Sequence, residues 1–347
     1  MAHVSLALVG FGNVGRAFAR LLLDVRERLS GDYDLEWSVT GIATHRHGTA
    51  INELGLDLDA ALDASGGSLG RLHCCPAVTD ASDFIRSVEA DVMVETTVLD
   101  VRTGGAAVEH IRTALESGTH VITANKGPVA CAYRELADLA RARGLAFRFE
   151  SAVMDGTPIV NLVERTLPGC RIRGFRAVLN STTNVILTTM EAGGSFDAAL
   201  GEAKRRGIAE ADTDHDIDGL DAAAKTAVLV NVLMGGNVSP VDIPTRGIRD
   251  VSPADLAGAR ANGRHLRLVA SAAHGQSGVE ASVRLEALAD DDPLARLRGS
   301  SNAIVLRTDL MGDLTIIEHD PGVAQTAYGL LADLVAVVDA HRASFER

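Results

Sequence analysis

Apolar residues over the first 150 positions fall in short runs separated by stretches of helical spacing. Positions 4–10 form an apolar run ending in glycine. Val14, Phe18, Leu21, Leu22, Val25 and Leu29 then recur on one helical face. Runs at 36–43, 90–97, 119–123 and 145–153 read as further buried strands, with helices expected near 104–117 and 131–143. Strands alternating with helices predict a parallel sheet covered on both faces. Beyond residue 150 the rhythm changes. A strand at 173–179 precedes helices near 182–192, 196–206 and 219–234. The turn-rich stretch 235–253 leads to strands near 265–273, 278–288, 302–308 and 314–318, and a helix at 325–340 closes the pattern. At 347 residues the chain suits two domains of an α/β protein.

The first run ends in Gly10-Phe11-Gly12-Asn13-Val14-Gly15, a G-x-G-x-x-G placed after a strand and before a helix. In that setting it predicts a Rossmann-type dinucleotide site. Gly10 makes the tight turn, Gly12 lets a pyrophosphate approach the backbone, and Gly15 lets helix and strand pack closely. The phosphates would then rest on unpaired helix amides. The second strand leads into Thr44-His45-Arg46-His47, with no acid for a ribose 2′-hydroxyl. Arg46 instead suits a 2′-phosphate, so NADP is expected, with NAD as the alternative.

Composition excludes several classes of partner. A net charge of −13 leaves nothing to neutralise a phosphate backbone, so no nucleic-acid partner is expected. No basic run invites a membrane surface, and no uninterrupted apolar window of about 18 residues predicts a membrane span. The first residues enter a strand without a charged and apolar leader. Cys74, Cys75, Cys131 and Cys170 show no CxxC pairing and read as reduced thiols, so a cytoplasmic protein is expected.

Only three of the 33 basic residues are lysines: Lys126, Lys204 and Lys225. Where arginine serves nearly every positive position, a retained lysine points to a need for its compact, titratable ammonium. Lys126 follows a strand in Thr-Ala-Asn-Lys-Gly-Pro, at the end of the sheet where α/β proteins bind ligands. Lys225 follows six acids, Glu210, Asp212, Asp214, Asp216, Asp218 and Asp221. Asp221 and Lys225 are four apart on a helix that is otherwise almost wholly apolar over 222–233, so Lys225 should be buried. A buried lysine costs free energy unless it is paired or used, and an acid cluster suits a substrate carrying an ammonium group.

Taken together, GFGNVG, VETT at 94–97, THVITANKGPVA, ESAVMDGTPI, VLNSTTNVIL and RGIAEADTDHDIDGLDAAAK resemble the homoserine dehydrogenase family, across nearly the full chain. The resemblance implies a Rossmann domain over 1–135, completed by 305–347, and a mixed α+β substrate and dimerisation domain over 136–304. It implies a homodimer acting on a small amino acid, and a short form without a regulatory ACT domain. Lys126 and Lys225 resemble the family's two site lysines, with Asp221 orienting Lys225. Glu210 and Asp216 correspond to the acids for the substrate's amino group, and Ser181 and Thr182 to pocket contacts. Thr96, Thr97, Asn125 and Gly322 join Lys126 and the 10–15 loop around the cofactor. Glu150, with the carbonyls of Val153, Asp155 and Thr157, falls on a structural sodium site.

The chain departs from the family at three places. Ile208 stands where a tyrosine is common, and Asp155 replaces a small residue. A glycine-rich loop is here Glu318-His319-Asp320-Pro321-Gly322. That loop leaves open a dehydrogenase of a different amino- or hydroxy-acid aldehyde. A dinucleotide-binding protein with little turnover is a further alternative, against which Lys126, Asp221 and Lys225 speak.

Overall fold

The computed structural model describes residues 1–64, 69–72, 78, 80–209, 213–276 and 278–346, and Gly70 only in its backbone. Glu210, Asp212, Cys74 and Cys75 therefore lie outside the described residues. The chain forms two compact units: Met1–Pro158 with Val323–Arg347, and Ile159–Gly322.

The first unit holds strands β1 (Ala2–Val9), β2 (Leu35–Thr44), β3 (Gly48–Ile51), β4 (Val92–Glu95), β5 (His120–Thr123) and β6 (Phe147–Arg148). Their order is β3-β2-β1-β4-β5-β6, parallel except for the β2–β3 hairpin. Strand β1 shows why both faces must be covered. Val4, Leu6 and Leu8 enter a core with Phe18, Leu22, Leu330 and Leu334, while Ala7 and Val9 enter another with Phe84, Ile111 and Leu115. A strand buried on both sides needs this unbroken apolar run.

The helix Val323–Phe345 is long and apolar enough to cross a membrane, with mean hydropathy 1.4. Its Leu330, Leu334, Val337 and Val338 instead fill the first of those cores, as a core helix of the sheet does.

The second unit holds β7 (Ile172–Val178), β8 (Arg264–Gly275), β9 (Gly278–Ala289), β10 (Asn302–Thr308) and β11 (Asp313–Glu318), in the order β11-β10-β7-β8-β9. Each named pair is antiparallel, with one parallel bridge between Thr245 and Val283. Leu306, Phe175 and Ala272 lie in register and are buried. Thr315, Val305, Arg176, Ser271 and Ser282 form a neighbouring row on the other face, partly or fully exposed. One face is core; the other is exposed along this row but is covered further along, where Val178, Val269 and Ala303 pack with Leu294 and Leu297.

Several expectations are corrected. The run 145–153 yields only β6, because Glu150–Ala152 winds into a 3-10 turn. The helix expected at 131 begins at Lys126, where Asn125 caps it. The stretches near 302–308 and 314–318 extend the β7 sheet, so 305–322 belongs to the second unit and the first unit runs on to Pro158.

Candidate active site

In the first unit, Gly10 has φ +97, and a Cβ there would stand 2.6 Å from the Thr96 backbone. Glycine is required for both reasons. A Cβ on Gly15 would stand 2.6 Å from the Gly10 carbonyl, so helix and loop pack too closely for a side chain. Gly12 differs: its Cβ would meet nothing within 4 Å. It is also the N-cap of the helix Asn13–Asp24, and no side chain caps that helix. Open space over uncapped amides is the setting a pyrophosphate fits.

Beyond the end of β2 a cavity of about 240 Å³ is lined by Phe11, Arg16, Thr44, His47, Ala61, Ala64 and Leu69. The guanidinium of Arg16 lies 5.5 Å from the Phe11 ring centroid and donates to the Leu62 carbonyl. Arg46 is exposed in the β2–β3 turn, one residue from His47 of that lining. Arg16 was not anticipated from sequence, although it directly follows the glycine motif.

A second cavity, about 100 Å³, is lined by Val14, Thr96, Thr97, Leu99, Ala124, Asn125 and Lys126. Five of the anticipated cofactor residues thus converge at the carboxyl ends of β4 and β5. Thr96 donates to the Gly10 carbonyl at 2.9 Å, joining this wall to the glycine loop. A larger cavity, about 670 Å³, opens at the amino ends of β4 and β5 beside Ser5, Asp91 and His120, and holds none of the anticipated residues.

The chemistry of the second unit gathers around Asn180, which follows β7. Asn180 caps the helix Ser181–Glu191 by accepting from the Thr183 amide at 2.8 Å. Its side-chain amide donates to Asp216 Oδ1 at 2.7 Å and to Asp221 Oδ2 at 3.0 Å. Asp221 and Lys225 share a face of the helix Leu220–Leu233, with Nζ 3.3 Å from Oδ2. Lys225 Nζ also donates to the Leu179 carbonyl at 2.6 Å, and its side chain is only 14% exposed. Burial, then the charge of Asp221, raises the pKa of Asp216 above the ordinary carboxylate value, opposed by bonds from Asn180 and Thr182 and by the Lys225 charge.

Two of the six acids do other work. Arg249 pairs with Asp214 and Asp218, each at 2.7 Å on the surface. Thr182 stands against the Ile208 carbonyl, and Ser181 donates to the Ser300 carbonyl at 2.8 Å. Ser300 in turn donates to Asp320, and Ser301 meets His319 at 3.4 Å. Asp320 and His319 of the 318–322 loop are thereby engaged within their own unit. Asp320 has φ +48, a backbone that glycine would adopt more readily. Gly322 closes that unit. Asn180 was missed in the sequence, where it reads as an ordinary helix cap.

Around the anticipated ion position, Glu150 and Val153 are buried. The Glu150 amide donates to Asp333, and Asp155, at φ +48, accepts from Thr326 at 2.8 Å. The Thr157 amide donates to the Met154 carbonyl. Among the described residues no three His, Cys, Asp or Glu side chains form a metal-holding group.

A parallel sheet with an uncapped glycine loop, and a buried lysine–carboxylate pair, define a nicotinamide-dependent oxidoreductase. The homoserine dehydrogenase NAD-binding family model matches residues 10–150, and the homoserine dehydrogenase model matches 158–335. The homoserine dehydrogenase of Methanocaldococcus jannaschii is 37% identical, over 96% of this chain and 98% of that one. An NAD(+)-dependent homoserine dehydrogenase of Pseudomonas canavaninivorans is 35% identical over 97% of each. The structure of a hyperthermophilic archaeal homoserine dehydrogenase in complex with NADPH superposes with TM-score 0.81 at 32% identity, covering 97% of this chain and 98% of that one. The chain belongs to the homoserine dehydrogenase family and is an NAD(P)-dependent oxidoreductase.

Proposed function

We propose that this enzyme interconverts L-homoserine and L-aspartate-4-semialdehyde with NADP as its preferred cofactor. The observation that carries the reading is the buried Lys225–Asp221–Asp216 group joined by Asn180. The nicotinamide, when bound, supplies and receives the hydride. Lys225 moves the proton: in reduction, Nζ–H goes to the aldehyde oxygen as hydride reaches its carbon, and in oxidation Nζ takes the hydroxyl proton. Asp221 and the Leu179 carbonyl aim that ammonium. Asp216, with Glu210, holds the substrate's amino group, and Ser181 and Thr182 line the same pocket. Lys126 supplies a cation at the cofactor cavity.

The test is NADP⁺ reduction with homoserine against a panel of other hydroxy amino acids. Homoserine should give the highest kcat/KM. A panel member exceeding it by tenfold would replace homoserine as substrate, and no turnover with any of them would favour a binding protein.

The cofactor preference rests on Arg46, which is exposed beside the cavity at the end of β2. Arg46→Ala should weaken NADP⁺ while sparing NAD⁺, because losing a charge-assisted contact to phosphate costs about 1.5–3 kcal/mol. Equal losses for both cofactors would reduce Arg46 to a surface residue.

Glu150 is buried, and with the carbonyls of Val153, Asp155 and Thr157 it is the proposed holder of a structural sodium ion. A melting temperature unchanged on exchanging sodium for choline would remove the ion. The exposed row Thr315, Val305, Arg176, Ser271 and Ser282 of the β7–β11 sheet is the surface we assign to a second copy. A monomer by light scattering would contradict that.

A further inference from the structure

Glu95 ends β4, is 0% exposed, and has no part in the chemistry described so far. Its Oε1 accepts from the Thr97 amide at 2.8 Å and from the Thr97 hydroxyl. Its Oε2 accepts from Thr123 Oγ at 2.8 Å, at the end of β5. Thr123 Oγ accepts in turn from the Asn125 amide at 2.9 Å. The Asn125 side chain reaches back to the Thr97 carbonyl at 3.4 Å and accepts from the Gly127 amide. The bonds close a ring: Thr97, Glu95, Thr123, Asn125, Thr97. Three members of the 100 Å³ cavity wall, Thr97, Asn125 and Lys126, hang on that ring or on the residue beside it.

A buried carboxylate is costly unless donors meet it, so one that spans two strand ends is a demanding device for mere filling. Apolar residues precede it in β4, and leucine or valine would serve the core equally well. We propose that Glu95 is a positioning residue of the cofactor pocket. As a buried double acceptor it locks the ends of β4 and β5 into the single wall against which the nicotinamide end of NADP(H) is held. The assignment rests on the cofactor reading above.

Glu95→Gln tests it with almost no change of shape. The amide replaces one acceptor oxygen by a donor. Either the Thr97 amide then faces a donor, or the Thr123 hydroxyl must turn to accept from the new amide and give up the bond it donates. NADPH affinity, read by the fluorescence of the bound dihydronicotinamide, should fall roughly tenfold to a hundredfold, the usual scale for losing a charge-assisted bond. The KM for the amino acid should stay within about twofold, a split that a general loss of folding would not produce.

A second pair guards against a variant that does not fold. Thr123→Val removes the bond to Glu95 and should weaken NADPH in the same direction, while Thr123→Ser keeps the hydroxyl and should restore it. NADPH affinity in E95Q within about threefold of the parent overturns the proposal. So does a T123S enzyme as weak as T123V. NADPH binding by the parent is measured first, and a parent that binds none overturns the cofactor reading itself, along with what rests on it.

Discussion

Replacing Lys225 with arginine is expected to lower kcat by about 10²–10⁴-fold, the usual contribution of a positioned proton donor. Arginine keeps the charge beside Asp221, so the ion pair survives. Its pKa above ~12 withholds the proton from a developing alkoxide near neutrality. The planar guanidinium also cannot occupy the point where Nζ meets both Asp221 Oδ2 and the Leu179 carbonyl. NADPH affinity should be nearly unchanged, since the substitution keeps the positive charge and leaves the glycine loop as it is. Turnover within tenfold of the parent enzyme would take Lys225 out of the proton path.

The glycine loop allows fold and function to be separated by two neighbouring substitutions. Gly10→Ala forces a side chain onto φ +97 and into the Thr96 backbone at 2.6 Å. The left-handed backbone alone costs roughly 1–2 kcal/mol, and relieving the overlap adds to it. Both the denaturation midpoint and NADPH affinity should therefore drop. Gly12→Ala meets no protein atom within 4 Å and has φ −82, so the midpoint should barely move. NADPH affinity should still fall, because the added methyl stands in the space assigned to the pyrophosphate. If G12A binds NADPH like the parent, the phosphates do not sit on this loop.

Much of this was legible in the sequence. β1 and its glycine loop could be found because one short segment contains the strand, the turn and the helix start. Lys225 could be singled out because its neighbours on the helix are apolar. What escaped depended on distant partners. Asn180 binds carboxylates 36 and 41 residues away, and nothing local distinguishes it from a simple cap. Strand β10 is apolar enough to suit either sheet, and periodicity does not encode which neighbour a strand pairs with. The β3 strand was missed because four residues after a polar turn carry too little pattern, although Thr44 and His47 already bond across that turn. Glu95 left a trace that went unused: a single acid ending a buried run, in VMVE.

The amide of Asn180 joins Asp216 and Asp221, the two carboxylates of the proposed substrate pocket. Burial, then the Asp221 charge, makes Asp216 retain its proton more readily than an exposed aspartate, while the bond from Asn180 and the Lys225 charge oppose this. An arriving ammonium group would favour the ionised form of Asp216 and lower its pKa again. On the proposed assignment, capture of the amino acid and titration of Asp216 are then one linked equilibrium. Acidification would weaken capture by filling the carboxylate that the ammonium needs empty, quite apart from any effect on Lys225.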